Sequence, residues 1–306
     1  MMNRKNFLKS AALLAGSTFV APHLQAAASV NVGGMPVAGK LKKALGFDMI
    51  KEELSLIDKF KLVKDLGFDG IEFNSPVAHT IKELLQAKSA SGIEIPSLVN
   101  KDHWSKPLSD PDPAVRKFII DSVSTSLQEV KELGGDTVLV VPGVVNEKVS
   151  YKTAYANAQD SVRKLIPAAE KTGMKIALEN VWNNFLLSPL EAARFVDEIN
   201  HPLVGWYFDI GNVLRYGWPE HWIEVLDKRI FKLHIKEFSR EKMNNEGLYK
   251  GFNVELTEGD INWALVMKKV REVQYKGQWI TSEIAGGDRT RLKTVAEQMD
   301  KIISLY

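Results

Sequence analysis

From residue 38 onward the chain alternates between short apolar runs and longer stretches in which apolar residues return every three or four positions. The short runs are KALGFDMI (43–50), DGIEFN (69–74), GIEIPSLV (92–99), DTVLVVPG (136–143), MKIALEN (174–180), LVGWYFDIGN (203–212), IFKLHIKEF (230–238) and QWITSEIAGG (278–287). They read as strands. Longer stretches such as LSLIDKFKLVKDLG, AVRKFIIDSVSTSLQEVKELG and YANAQDSVRKLIPAAEKTG are amphipathic and read as helices. Gly67, Gly92, Gly134 and Gly173 stand just before the next strand, where a helix C-cap calls for a residue that tolerates the left-handed backbone. Ser188-Pro189 opens SPLEAARFVDEI as an N-cap followed by proline at the first helical position.

Strands that alternate with helices predict a parallel sheet. Eight such units over about 250 residues match the count and size of a single (β/α)8 barrel. A doubly wound open sheet is the competing arrangement, but no G-x-G-x-x-G follows the first strand. No linker or composition break divides residues 29–306, so they are read as one domain.

The first 28 residues have a different pattern. Arg4, Lys5 and Lys9 precede the apolar segment AALLAGSTFV, and Ala26-Ala27-Ala28 supplies small residues for cleavage. That order predicts an export signal over 1–28 and a periplasmic protein, the alternative being an amino-terminal membrane anchor. Arg4-Lys5-Asn6-Phe7-Leu8-Lys9 is twin-arginine-like, with Lys5 in place of the second arginine, so the route stays open. Removing this segment takes three basic residues from 40 and none of the 38 acids, leaving 37 against 38. Such a balance has no basic footprint for nucleic acid. The absence of cysteine excludes disulfides and a lipid-modified cysteine anchor. No later segment is apolar over the ~18 residues that a membrane span needs. The expected partner is a small molecule, and a homo-oligomer is compatible with the sequence.

One costly placement points to chemistry. The apolar run Ile176-Ala177-Leu178 ends in Glu179, and a charge at the end of a core strand is expensive unless it is paired or bound to a metal. Asp209, His234 and Glu283 stand at the ends of the next three predicted strands. Sequence separations of 30, 25 and 49 residues then collapse into neighbouring places at the barrel mouth. Three carboxylates crowded together raise one another's pKa, and a divalent cation relieves that. Three oxygen donors and one imidazole favour Mn²⁺, with Mg²⁺, Co²⁺ or Zn²⁺ also compatible. Taken singly, each residue has a plainer explanation: Asp209 as a turn residue, His234 as a core histidine, a strand-end acid as a cap. Four coincidences at consecutive strand ends favour the metal.

The runs LENVWNNFLLSPLE, YFDIGNVLRYG, KLHIKEF and EGDINW, with the late SEIAGGD, resemble the xylose isomerase-like TIM barrels of the sugar phosphate isomerase and epimerase group. That group is similar to the ketose 3-epimerases and hydroxypyruvate isomerases. The resemblance spans roughly residues 40–305. It implies that Glu179, Asp209, His234 and Glu283 bind one metal and that the two glutamates also move protons. Two departures stand out. Many ketose 3-epimerases carry histidine three residues after the metal-binding aspartate, where this chain has Asn212. An export signal is also out of place for an enzyme of phosphorylated metabolites.

Further residues are candidate substrate contacts. His103 and Trp104 follow the third predicted strand, and Trp104 or Trp182 could stack on a sugar ring. Glu72 is placed at the end of the second strand, to bond a hydroxyl or orient a ligand. Lys236 shares a strand face with His234. Arg240 begins a predicted long loop, 239–258, that contains Tyr249 and Phe252 and would act as a lid. Gly286-Gly287 precedes the last helix, where barrels often bind phosphate, although a tight turn explains the pair equally well.

Such a site suits proton abstraction beside a carbonyl, with an enediolate stabilised by the metal. Return of the proton to the opposite face is epimerisation, and return to the neighbouring carbon is isomerisation. Expulsion of a β leaving group would make the protein a 3-keto-glycoside lyase or hydrolase, with His103 protonating the departing oxygen. The export signal favours an unphosphorylated keto-sugar. Two rivals are weaker. A non-catalytic sugar-binding barrel has no need of paired glutamates, and an abasic-site endonuclease-type phosphoesterase needs a zinc cluster with several histidines.

Overall fold

The computed structural model describes residues 40–306, which belong to one compact unit. The export-signal reading of residues 1–28 lies outside the described residues. Eight strands follow in order: β1 (Lys42–Gly46), β2 (Gly70–Ser75), β3 (Ser97–Asn100), β4 (Thr137–Val140), β5 (Lys175–Glu179), β6 (Val204–Asp209), β7 (Ile230–Ile235) and β8 (Trp279–Ser282). Each pairs in parallel with the next, and β8 closes on β1. The helices are α1 (Leu56–Asp65), α2 (Ile81–Ser91), α3 (Pro113–Glu132), α4 (Tyr151–Thr172), α5 (Pro189–Ile199), α6 (Pro219–Leu226), α7 (Arg240–Glu246), α8 (Trp263–Glu272) and α9 (Arg289–Ile303). The fold is a (β/α)8 barrel.

All eight predicted strands form, and all but β2 are shorter than their apolar runs. Residues 47–49 of the first run wind into a 3₁₀ turn. In the third run, Pro96 has no N–H for a ladder, so β3 begins at Ser97 and Glu94 makes only an isolated bridge to Gly70. The carboxyl ends of the β7 and β8 runs leave the sheet and become mouth loops. Gly67, Gly92, Gly134 and Gly173 all have positive φ, between 73° and 84°, where a side chain would be strained. Ser188 caps α5 by accepting from the Glu191 N–H, with Pro189 at the first position.

The predicted loop 239–258 is instead partly helical, as α7 and a 3₁₀ segment, Leu248–Phe252. Ser239 accepts from the Lys242 N–H and starts α7, and Gly251 packs so tightly on the Phe238 ring that an added Cβ would lie 2.4 Å from it. The segment is folded onto the mouth.

Alternation along each strand sets what the barrel contains. On β6, Trp206 and Phe208 join the apolar layer under the helices, where Phe208 stacks on Trp222 of α6 and the Trp206 N–H bonds Ala192 O of α5. Tyr207 lies on the other face, clustered with Leu139 and Ala177 of neighbouring strands, and so fills the interior. At the amino-terminal end of the barrel the buried Lys232 ammonium pairs with Asp136 at 2.8 Å, as a charge removed from water must. No described helix is long and apolar enough to cross a membrane.

Candidate metal centre and active site

Glu179 is the last residue of β5 and Asp209 the last of β6; His234 is the penultimate residue of β7, and Glu283 follows β8 directly. One donor atom from each lies within 4.8 Å of all the others. Glu179, Asp209 and His234 are buried, whereas the Glu283 side chain is 51% exposed and forms the rim. Asp209 serves two purposes. Its Oδ1 accepts the Asn212 N–H at 2.7 Å and so makes the turn that its sequence context suggested. Its Oδ2 is buried without a hydrogen bond, 3.3 Å from the Lys236 ammonium. A buried carboxylate oxygen left this way is ready for a cation.

The histidine is aimed from beneath. His234 Nε2 lies 2.7 Å from Glu72 Oε1, which leaves Nδ1 facing Glu179 and Glu283, each at 3.2 Å. Glu72 Oε2 accepts in turn from Ser97 (2.5 Å) and from the Tyr207 hydroxyl (2.6 Å), which also sits 3.2 Å from Thr281 Oγ1. Expected at the end of the second strand, Glu72 is instead the third residue of β2, buried in the barrel, where it orients a ligand. A carboxylate behind a ligating histidine fixes both tautomer and ring orientation. Asn180 performs a similar service for Asp209: it donates to Asp209 O at 2.7 Å and accepts from the Asp209 N–H at 2.8 Å. Ser97, Asn180, Tyr207 and Thr281 escaped the sequence reading. Strand parity carried a signal for Tyr207, two residues before Asp209, and for Thr281, two before Glu283.

Charge balance in the cluster follows from these distances. Burial, reinforced by the Glu283 carboxylate, pushes the Glu179 carboxyl up to about 7. Asp209 is raised chiefly by burial, with Lys236 opposing. Burial also resists ionisation of Glu72, yet the adjacent imidazole and the Ser97 and Tyr207 hydroxyls hold its carboxyl below the usual range. His234 is held well above the ordinary imidazole value: Glu72, Glu179 and Glu283 overcome its desolvation. A cation bound by the same carboxylates competes with that proton for Nδ1. Desolvation resists ionisation of Glu283 too, but Lys236 at 2.9 Å and His234 keep it low, and its exposure weakens the desolvation. The Lys236 ammonium therefore supplies part of the positive charge that the sequence reading gave wholly to a metal.

The remaining candidates divide. Above the cluster a cavity of about 570 Å³ is lined by Trp104, Trp182, Asn212 and Lys236 together with Tyr249 and Phe252. Trp182 is held by its N–H on Asn212 O at 2.8 Å and by the tilted ring of Phe252 at 5.0 Å. Asn212 donates to Asn180 O, so this residue, a histidine in many ketose 3-epimerases, here braces two strand ends. Two assignments are corrected. Arg240 does not reach the cavity: its guanidinium donates to Leu214 O and Gly217 O and lies over the Trp218 ring, pinning α7 to the loop after β6. His103 is buried and its Nδ1 accepts the Val141 N–H. Burial depresses it to about 4 against the opposing pull of Glu283 and Asp102, which counts against the role of proton source expected of it.

Gly286-Gly287 offers no phosphate cradle. A Cβ at Gly286 would fall 2.0 Å from Met49 O, and the Gly287 N–H is spent on that same carbonyl. The start of α9 is likewise filled, by Glu52 accepting the Arg289 N–H and Asp288 accepting the Arg291 N–H. The tight-turn alternative accounts for the pair.

A parallel eight-stranded barrel with its polar cluster at the carboxyl ends of the strands defines a barrel-mouth site. The xylose isomerase-like TIM barrel family model matches residues 60–305, and the chain belongs to that family. Among characterised and uncharacterised relatives, it is 27% identical over 239 residues to an uncharacterised protein of Methanocaldococcus jannaschii, covering 73% of this chain and 77% of the other. It is 20% identical over 238 residues to the L-ribulose-5-phosphate 3-epimerase of Salmonella paratyphi A, covering 73% and 80%. The fold superposes on the 3-keto-D-glucoside 4-epimerase of E. coli with a TM-score of 0.73 at 16% identity, over 87% of this chain and all of that one. The chain is thus related to sugar epimerases.

Proposed function

We propose that this protein is a divalent-metal-dependent sugar epimerase or isomerase that removes a proton from the carbon beside the carbonyl of an unphosphorylated keto-sugar. The convergence of Glu179, Asp209, His234 and Glu283 carries the reading. The orphaned Asp209 Oδ2 and the Nδ1 aimed by Glu72 suit a cation, and the mixed oxygen and imidazole set favours Mn²⁺, with Mg²⁺, Co²⁺ or Zn²⁺ also compatible. When bound, the cation supplies Lewis acidity to the carbonyl and hydroxyl oxygens of the sugar. Glu179 takes the proton from one side of the ring; Glu283, across the cluster on the exposed rim, delivers a solvent-derived proton from the other side and inverts the carbon. Lys236 steadies the oxygen that gains negative charge. Trp104 and Trp182 supply faces for the ring.

The absence of phosphate from the substrate is supported by the carboxylates of Glu52 and Asp288 at the start of α9, which repel an anion. It sets this chain apart from its ribulose-phosphate relative. The test is solvent exchange in D₂O with added Mn²⁺, using fructose, tagatose, a 3-keto-glucoside and the sugar phosphates. Deuterium should enter an unphosphorylated keto-sugar beside its carbonyl, and chelator should abolish the exchange. Exchange into the phosphates alone would overturn the substrate class. Binding without exchange in any sugar would make the protein a sugar-binding barrel.

The buried support of His234 has its own consequence. Glu72→Gln keeps the shape of the side chain and removes its charge, so metal affinity should fall by roughly 10–100-fold. Competition with a metal indicator measures this, with the melting temperature as a control for folding. Unchanged affinity would assign Glu72 to packing alone.

A further inference from the structure

Glu283, Ile284 and Ala285 form the wall of the aromatic cavity and also the wall of a second one, about 450 Å³, on the opposite side of the cluster. The second cavity reaches Glu72 and His234 at its base and lies against the β1 and β2 ends. Glu179 borders one cavity, His234 the other, and Glu283 both, so the two are lobes of one site with the four-donor cluster between them.

The second lobe has a chemistry of its own. Asn74 Nδ2 donates to Asp48 Oδ2 at 2.6 Å, which leaves Asp48 Oδ1 and Asn74 Oδ1 for ligand hydroxyls. Lys51 adds a donor at the rim, and Phe47, stacked on Phe73 with centroids 4.4 Å apart, adds an apolar face. Acceptors, a cationic donor and an aromatic face together recognise a neutral polyhydroxylated ring. Gly46 lines this lobe, where a larger side chain would have room to project. Its backbone is ordinary extended chain (φ −66°, ψ 135°), and a Cβ built there would touch nothing within 4 Å, so neither conformation nor crowding requires glycine.

The geometry points to a two-unit substrate: a keto-glycoside whose oxidised ring lies in the Trp104–Trp182 lobe and whose second, hydroxyl-rich unit occupies the Asp48–Asn74 lobe. This rests on the keto-sugar reading and narrows it to glycosides, for which proton removal at C2 of a 3-keto ring stands next to a C1 bond joining the two units. If that bond breaks, the C2–H electron pair forms the C1–C2 double bond of the oxidised ring. The second unit then leaves with the C1–O pair and gains a proton, with no oxidant or reductant required.

The test compares a 3-keto-disaccharide with methyl 3-keto-glucoside on the wild-type protein and on Asp48→Ala, Asn74→Ala and Gly46→Leu. Asp48 and Asn74 are exposed, so their loss should spare the fold. Wild type should prefer the disaccharide. Asp48→Ala and Asn74→Ala should each lower the ratio of kcat/KM for disaccharide over methyl glycoside by at least about tenfold, the loss expected when hydroxyl partners are removed, and Gly46→Leu should lower it similarly by filling the lobe. Calorimetric binding of the unoxidised disaccharide should weaken in parallel, which needs no turnover. Deuterium exchange into methyl 3-keto-glucoside reports separately on the proton-abstraction reading. Exchange with an unaltered ratio and unaltered disaccharide binding in all three variants would overturn the two-lobe inference and leave that reading standing.

Discussion

Glu179→Gln and Glu283→Gln should each lower turnover by at least about 10²-fold, the usual scale for a general acid or base. Glutamine still offers a carbonyl oxygen to a cation but cannot accept a proton, so metal content should change far less than rate. The two variants are not equivalent. Glu179 is buried between Glu283 and His234, and its replacement removes one of three carboxylates pressed together without exposing a new cation. Glu283 is the carboxylate that Lys236 holds at 2.9 Å, so its replacement also leaves the ammonium to Asp209 alone. Single-turnover rates with metal analysis of the same samples separate the roles. A variant with wild-type rate and full metal would reduce that glutamate to a ligand.

Removal of the metal or of a ligand should have an effect of similar size. The purified protein, loaded with Mn²⁺, should hold one ion per chain and lose activity to chelator, regaining it when the ion is restored. Asp209→Asn and His234→Ala should weaken retention by more than the roughly 10–100-fold expected of an outer-shell change such as Glu72→Gln, because each deletes a donor from a set of four. His234→Ala also strands Glu72, a buried carboxylate that would lose its nearest positive partner, so some stability should go with it. Asp209→Asn avoids that complication: Oδ1 can still accept the Asn212 N–H, and the turn should survive. Full turnover in chelator, with no bound ion by elemental analysis, would defeat the metal assignment.

Read together, the two experiments separate charge from chemistry. Lys236 pairs with two of the three carboxylates and His234 lies against two of them, so the protein folds around the cluster with part of its negative charge already offset. What those groups cannot do is polarise two sugar oxygens at once, the contribution expected of a divalent ion. The environment of His103 bears on the elimination outcome as well. Burial that depresses this histidine to about 4 favours water or one of the glutamates as the source of the departing oxygen's proton.

The amino-acid sequence by itself determined the eight strand–helix units, the helix stops at four glycines, and the four donors near the ends of the last four strands. Those features are local: they depend on periodicity along one element, on the left-handed preference of glycine, and on a charge that closes an apolar run. Ladder lengths were less legible, since pairing ends where neighbouring strands and Pro96 end it, not where hydrophobicity does. Only the tertiary structure decided that Glu72 lies behind His234, 162 residues away in the chain, or that Arg240 turns from the mouth to brace Leu214 and Gly217. It likewise decided that Asp48 and Asn74 share a lobe across the cluster from Trp182. These relations join side chains on different strands and loops. Barrel closure and loop packing bring them together, and neither leaves a repeat in the sequence that could announce it.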